Sequence, residues 1–250
     1  MSATTMQQVH RPQTNRSTDR IFFPVFTLLI LAAVFRGFAR TYFLAGMVHA
    51  PLPNALIHVH GALFTSWLVL LTVQTGLVSA RRTDIHRKLG LFGFGLACCM
   101  VVVGLLAACD SLRRGTSPQQ FPGGPLTFFI IPVTAILLFA AFIALSYRAR
   151  SHDLAGHKRL IMLATVAILD AAIARWPYEF IQKGSHWNTD LICYSFLALM
   201  MIYDFSTTRR VHRTTLWGSV LIIVVQQIRV PLGLTAPWHA FAHWVLRFGI

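Results

Sequence analysis

The chain has 250 residues, 55% of them hydrophobic and only 12% charged, with a mean hydropathy of +0.60. A water-soluble domain carries about twice that share of charge, so the composition excludes an ordinary soluble globule. The net charge of +14 comes from basic residues grouped in short clusters between long apolar runs. Such clusters are topology signals, and no recognition helix, zinc-finger spacing or basic stripe accompanies them, which sets nucleic acid aside as a partner.

A helix needs about 20 apolar residues to cross roughly 30 Å of hydrocarbon. Seven segments meet or approach that length: Ile21 to Phe43, Ile57 to Ala80, Leu89 to Cys109, Leu126 to Tyr147, Leu160 to Phe180, Thr189 to Phe205, and Thr215 to Leu234. Open strands would leave backbone groups unpaired in lipid. The expected fold is therefore an all-α polytopic membrane helix bundle of seven transmembrane helices, in one domain. Residues 1–20 form a cytoplasmic tail, 21–234 the transmembrane domain and 235–250 an extracytoplasmic tail.

The first segment follows Arg16 and Arg20 and has the outline of a signal peptide. Its long polar lead and the lack of a small-x-small cleavage site after the run make it read as a retained helix. The second segment opens with His58, His60 and Gly61 and continues through Trp67 and Gln74. Two histidines at i and i+2 on a helix point about 200° apart, so they do not share a ligand face. No carboxylate or cysteine lies beside them to complete a zinc shell, and no metal site is predicted.

Between the transmembrane segments, three inner loops carry a repeated step. His86-Arg87-Lys88-Leu89, His157-Lys158-Arg159-Leu160 and His212-Arg213-x-x-Leu216 each open an outward-going helix. The chain thus reads as one lead helix plus three hairpins. The inner-face histidines His86, His157 and His212 serve either as interfacial anchors or as a set for haem, metal or proton transfer. The outer connection from Asp110 to Pro125 is rich in Gly, Pro, Ser and Gln and reads as a solvated loop.

Fourteen of the 22 basic residues fall on one side: Arg11, Arg16, Arg20, Arg81, Arg82, Arg87, Lys88, Arg148, Arg150, Lys158, Arg159, Arg209, Arg210 and Arg213. That side is cytoplasmic by the positive-inside rule, with the N-terminus in and the C-terminus out. The cysteines Cys98, Cys99, Cys109 and Cys193 form no C-x-x-C motif, and Cys109 and Cys193 fall near the outer surface, where a disulfide is an open alternative.

Counted from the inner helix ends, Arg36, Arg175 and Arg229 share a level about 21–22 Å up. Embedded charges face the bundle interior and are functional-site candidates by default. The three arginines, with His58 or His60 at the mouth and Glu179 nearby, make an expected outward-opening basic pocket for an anion. Haem propionates, a lipid headgroup or a small organic acid all fit a guanidinium fork. The competing reading is snorkelling of each arginine, helped by an i,i+4 pair of Arg175 with Glu179. Asp170 stands alone about 15 Å up the fifth segment, as a proton relay or coupling site or as interhelical glue.

The H-x-H-G motif with Trp67 and Gln74, the His86-Arg87-Lys88-Leu89-Gly90 step and the run Gly156-His157-Lys158-Arg159-Leu160-Ile161-Met162-Leu163-Ala164-Thr165 together resemble an uncharacterised family of bacterial seven-helix membrane proteins. The resemblance covers nearly the whole chain and implies a fold and a bacterial inner-membrane location, with no activity attached. A histidine opening a helix before Leu-Gly also resembles, more distantly, the transmembrane b-type cytochromes. Those hold haem b by paired histidines within the helices, whereas His86, His157 and His212 lie at the inner surface.

Three functional readings remain open from sequence. One is a haem-handling or redox protein, another a non-enzymatic anion or lipid binding or transport protein with Asp170 coupling to protons. The third is a membrane assembly factor. No Ser-His-Asp elbow, Walker loop or H-E-x-x-H motif is present, so the residues neither establish nor exclude an enzyme.

Overall fold

The computed structural model describes residues 16–47, 54–118, 121–183 and 186–247. Arg11 with the rest of the N-terminal tail before residue 16, and residues 248–250 of the C-terminal tail, lie outside the described residues. In chain order the helices are α1 (Arg16–Phe38), continued by a π-helical turn at Ala39–Phe43, α2 (Ala55–Ser79), α3 (Thr83–Arg113), α4 (Gly124–Phe128), α5 (Ile130–Ala149), α6 (Leu154–Ala167), α7 (Asp170–Ile173), α8 (Glu179–Gln182), α9 (His186–Thr208), α10 (Arg213–Gly233) and α11 (Ala236–Arg247). Among the described residues six stretches are long and apolar enough to cross a membrane: Ser17–Phe43, Ala55–Ser79, Thr83–Arg113, Gly124–Ala149, Trp187–Thr208 and Arg213–Gly233. Leu28, Leu91, Phe92, Val102 and Ile202 point outward from them. An apolar exterior of that kind suits a helical bundle in lipid.

The ends of the helices are fixed by side chains that satisfy otherwise unpaired amides. Asn54 caps α2 by accepting the Ile57 N–H at 3.0 Å, and its amide donates to Asp110 near the end of α3 at 3.1 Å. Asp153 caps α6 through the Gly156 N–H at 2.8 Å, and a ring nitrogen of His212 caps α10 through the Thr214 N–H at 3.2 Å. The three-hairpin repeat has a physical counterpart at the inner turns. Gln74 donates to the His86 carbonyl, Ser146 to the His157 carbonyl and Thr215 to the Asp204 carboxylate, across 12, 11 and 11 residues.

The third hairpin is built on a seven-residue repeat. On α9 the positions Asp190, Cys193, Leu197, Met200 and Asp204 step by three and four, and each is at most 2% exposed. On α10 the positions Thr215, Ser219, Ile222, Gln226 and Arg229 do the same, none above 5% exposed. Such spacing keeps one face turned to an antiparallel partner. Contacts toward both ends pin the register: Thr215 to Asp204 at 2.5 Å inside, and Arg229 to Asp190 at 3.2 Å with Gln227 donating to the Tyr194 hydroxyl outside. Between these pins, equal rise per residue sets Ser219 level with Met200, Ile222 level with Leu197 and Gln226 level with Cys193.

Two sequence expectations need correction. The segment Leu160 to Phe180 is not one continuous helix. α6 stops at Ala167, the single turn α7 follows, and the chain runs through Trp176 and Pro177 into α8. Asp170 bonds its own neighbour's amide, the Ala171 N–H, at 2.7 Å, which competes with the helical ladder. Pro177 brings no N–H and disfavours a helical residue before it. Gln182 then covers the exposed carbonyls of Ala174 and Trp176 at 3.2 and 2.9 Å. The second correction concerns the C-terminal tail, most of which is the helix α11. It lies against the ends of α3 and α4, with Ala242 fully buried beside Ala108, Leu112 and Phe129.

The broken element is held closely by α1. A Cβ at Gly37 would sit 2.1 Å from the Ala172 carbonyl oxygen, so only glycine lets the two backbones meet. By contrast, a Cβ at Gly76 would meet nothing within 4 Å. Gly37→Ala is therefore expected to cost about 1–3 kcal/mol of stability, as overpacking typically does. Gly76→Ala should be neutral or slightly stabilising, and thermal denaturation of the two variants in the same detergent checks the contrast.

Candidate functional site

The helix break places Asp170 at the centre of the bundle, where α7 touches both α1 and α9. Arg229 of α10 donates through Nη1 to Asp170 Oδ2 at 2.6 Å and through Nη2 to Asp190 Oδ1 at 3.2 Å. All three residues are buried, at 5%, 4% and 1% exposure. Because α6 begins at Leu154 and not at Leu160, Asp170 stands higher than the sequence count from Leu160 gives; Arg229 lies about 24 Å and Asp190 about 27 Å from the inner ends of α10 and α9, in the outer third of a crossing, and Asp170 joins them there through Arg229. With both carboxylates ionised the trio carries one net negative charge. It is also incompletely bonded: Asp190 Oδ2 and Arg229 Nε have no partner, and neither polar atom of the neighbouring Gln226 has one.

A second charged cluster lies about 6–8 Å above the inner helix ends and differs in kind. Arg159 grips Asp204 through Nε and Nη2, and its Nη1 donates to the Ala155 carbonyl at 2.9 Å. Asp204 additionally accepts from the Thr215 hydroxyl and from the His212 N–H at 3.1 Å. Nearby, Asp19 of α1 accepts from Lys158 and Tyr203, each at 2.5 Å. Every polar atom of Arg159 and Asp204 is engaged, so this cluster acts as a staple joining α6, α9 and α10.

The three arginines predicted to line one basic pocket do not meet. Arg229 faces inward and is neutralised by its two carboxylates. Arg36 lies over Tyr178, 5.1 Å from the ring centroid, and Arg175 over Phe38 at 4.9 Å while donating to the Ala171 carbonyl; both are exposed. Glu179 pairs with Lys183 at 2.6 Å and not with Arg175. Asp170, expected to stand alone, is the best-paired residue of the trio. Arg36 instead caps an apolar groove of about 390 Å³ between α1 and α9, floored by Leu29, Ala33, Phe196 and Leu199 and closed by Trp176.

His58 is exposed beside Tyr42, whose hydroxyl donates to the His58 carbonyl at 3.3 Å. His60 points to another side, lies on the Phe64 ring at 4.1 Å and comes within electrostatic reach of Arg175. The inner histidines sit in the hairpin turns. His157 Nδ1 lies 2.8 Å from Ser146 Oγ and a ring nitrogen of His212 caps α10, whereas at His86 the backbone carbonyl accepts from Gln74 and the ring Nδ1 has no partner among the described residues. Among the described residues no group of three or more His, Cys, Asp or Glu side chains is arranged to hold a metal ion. Cys109 and Cys193 are free thiols, the latter fully buried near the charged trio.

Asp190, Asp204, Asp19 and the burial of Arg159 were missed by reading the sequence one segment at a time. The signal was present on α9: Asp190 and Asp204 are fourteen residues apart and share the seven-residue repeat of Cys193, Leu197 and Met200. Comparison with protein-family models, with curated proteins and with solved structures finds no match for this chain. The site is therefore read from its own chemistry.

His212 provides a pH test of the inner staple. Burial, and after it the Arg159 charge, hold its imidazole below the ordinary value of 6.5. The folded value lies below the unfolded one, so the histidine's contribution is complete above about pH 6.5 and declines as the pH falls toward the folded value. Melting measured from about pH 7.5 down to about pH 5.5 should show a loss of stability that is smaller in His212→Asn, which keeps a capping acceptor but cannot titrate in this range. An identical pH profile for the two proteins would contradict this role.

Proposed function

We propose that the chain is a membrane transport protein with seven crossings, in which the trio Asp170, Arg229 and Asp190 takes up and releases a proton. The broken element α6 to α8 is the extra crossing. Its Arg159 meets α9 at Asp204, while its Asp170 joins Asp190 through Arg229, and those two positions on α9 are about 21 Å apart along the axis. The basic clusters support a cytoplasmic N-terminus and an outer C-terminus. The resemblance to a bacterial seven-helix family points to the cytoplasmic membrane of a bacterium.

The reading is carried by one observation: a helix interrupted deep in the bundle, with a carboxylate at the break bonded to a buried arginine that also holds a second carboxylate. Ionisable groups inside a membrane bundle mark ion and proton paths, and interrupted helices are the usual places where transporters bind their coupling ion. A proton on Asp190 cancels the net charge and weakens its hold on Arg229. Asp170 keeps the guanidinium, and α9 is loosened from α10 at Asp190, with the Gln227–Tyr194 hydrogen bond as the remaining outer tie and the Arg159 staple closed. Histidine content is weaker support for haem, because His58 and His60 face different surroundings and His157 and His212 already use a ring nitrogen at the hairpin turns.

The test uses the purified protein in vesicles adsorbed on a solid-supported membrane. A pH jump should produce a transient current from proton uptake, and Asp190→Asn, Asp170→Asn or Arg229→Gln should reduce it to a small fraction of wild type. The absence of any wild-type current above protein-free vesicles would exclude proton coupling at this site. Full currents in all three variants would move the coupling site elsewhere.

A further inference from the structure

Buried polar atoms in folded proteins nearly always have a hydrogen-bond partner, and those without a protein partner are usually served by bound water. Eight buried side-chain atoms among the described residues have no partner, and five of them lie along one seam: Ser219 Oγ, Gln226 Oε1 and Nε2, Asp190 Oδ2 and Arg229 Nε. The seam is the heptad face shared by α9 and α10. Its residues are between 0% and 5% exposed, so bulk solvent does not reach them.

The mixture of unpaired atoms selects the occupant. Gln226 Nε2 and Arg229 Nε can only donate, whereas Gln226 Oε1 and Asp190 Oδ2 accept when the carboxylate is ionised. A metal cation would satisfy the acceptors and repel the donors, and an anion would do the reverse. Water does both. Resting on the proton-coupling reading above, we infer that bound water occupies this seam in two pockets and gives Asp190 its route to the inner face. The outer pocket joins Gln226, Asp190 and Arg229, and the inner one surrounds Ser219. Leu197 and Ile222, level with each other and at 1% and 0% exposure, form a dry layer between the pockets.

The two pockets stand about 10 Å apart along α10, the rise of seven residues from Ser219 to Gln226. That distance spans a few water molecules, so the apolar layer is the one step a proton crosses without fixed polar atoms. Gly218 lies against Leu163 of α6, a contact so close that a Cβ there would sit 2.4 Å from a Leu163 methyl. Packing is therefore tight at the inner side of the layer, which suits a barrier and not an open pore. The arrangement makes proton entry to Asp190 slow and dependent on movement at Ile222.

Two measurements test the inference on the full-length protein in lipid bilayers. In water-edited solid-state NMR, the Gln226 side-chain amide, assigned by its loss in Gln226→Leu, should receive polarisation from water about as readily as surface amides. Absence of that transfer would overturn the hydrated seam. In vesicles loaded with a pH-sensitive dye, Ile222→Ser should raise passive proton leak several-fold, while Val224→Ser on the exposed side of the same helix should leave it at the wild-type level. An unchanged leak in Ile222→Ser would overturn the dry layer as the barrier. Water at Gln226 without any pH-jump current would refute the coupling function and leave the hydrated seam standing. A pH-jump current with a dry Gln226 would do the opposite.

Discussion

A charge carried into a bilayer must find an opposite charge or return to water, and this one constraint organises the whole bundle. Three of the elements packed around α10 are tied to it or to each other by buried ions: α6 through Arg159, α7 through Asp170 and α9 through Asp190 and Asp204. Apolar packing alone gives weak guidance in lipid, because the tails are as greasy as the helix faces. The ion pairs and the hairpin clamps therefore choose which helices are neighbours and in what register. Losing one partner of a buried pair typically costs about 3–5 kcal/mol, comparable to the net stability of a small domain.

The two ionic layers answer the same constraint in different ways. At the inner end Arg159 and Asp204 use every donor and acceptor they have, with Thr215, His212 and the Ala155 carbonyl completing the set. At the outer end two carboxylates share one guanidinium and leave an oxygen and an N–H unpaired. A saturated cluster is fixed, since any rearrangement breaks bonds without making others. An unsaturated cluster has donors and acceptors to spare, so it can exchange partners without losing bonds. That difference makes the inner end a structural staple and is the ground on which the proposed chemistry is placed at the outer one.

The apolar runs announce six crossings plainly, and the inner His-basic steps announce the hairpins whose turns Gln74, Ser146 and Thr215 close. Pairing between helices is harder to read. Arg159 sits among topology-setting basic residues and looks like one of them until Asp204 is seen opposite. Arg36, Arg175 and Arg229 share a depth, yet depth says nothing about azimuth, so equal height was mistaken for a common pocket. The repeat Asp190, Cys193, Leu197, Met200, Asp204 was legible, because carboxylates in phase with fully buried residues must themselves face inward. The break after Ala167 was half legible, since Pro177 marks an end to helix while the self-bonded Asp170 does not.

The break and the trio are consequences of each other. A continuous helix over residues 160–180 would use the Ala171 amide in its own ladder and leave Asp170 only Arg229 as a partner. By ending α6 early, the chain gives one carboxylate oxygen to the Ala171 N–H and the other to the guanidinium, so both oxygens of Asp170 are satisfied. Of the two carboxylates, only Asp190 is then left with an unpaired oxygen, on a different helix from the break. Under the proposed proton coupling, a change at Asp190 would act between α9 and α10 without loosening α7 from Arg229, against a seam held by the saturated Asp204 cluster at its inner end and by the Gln227–Tyr194 hydrogen bond nearer the outer one.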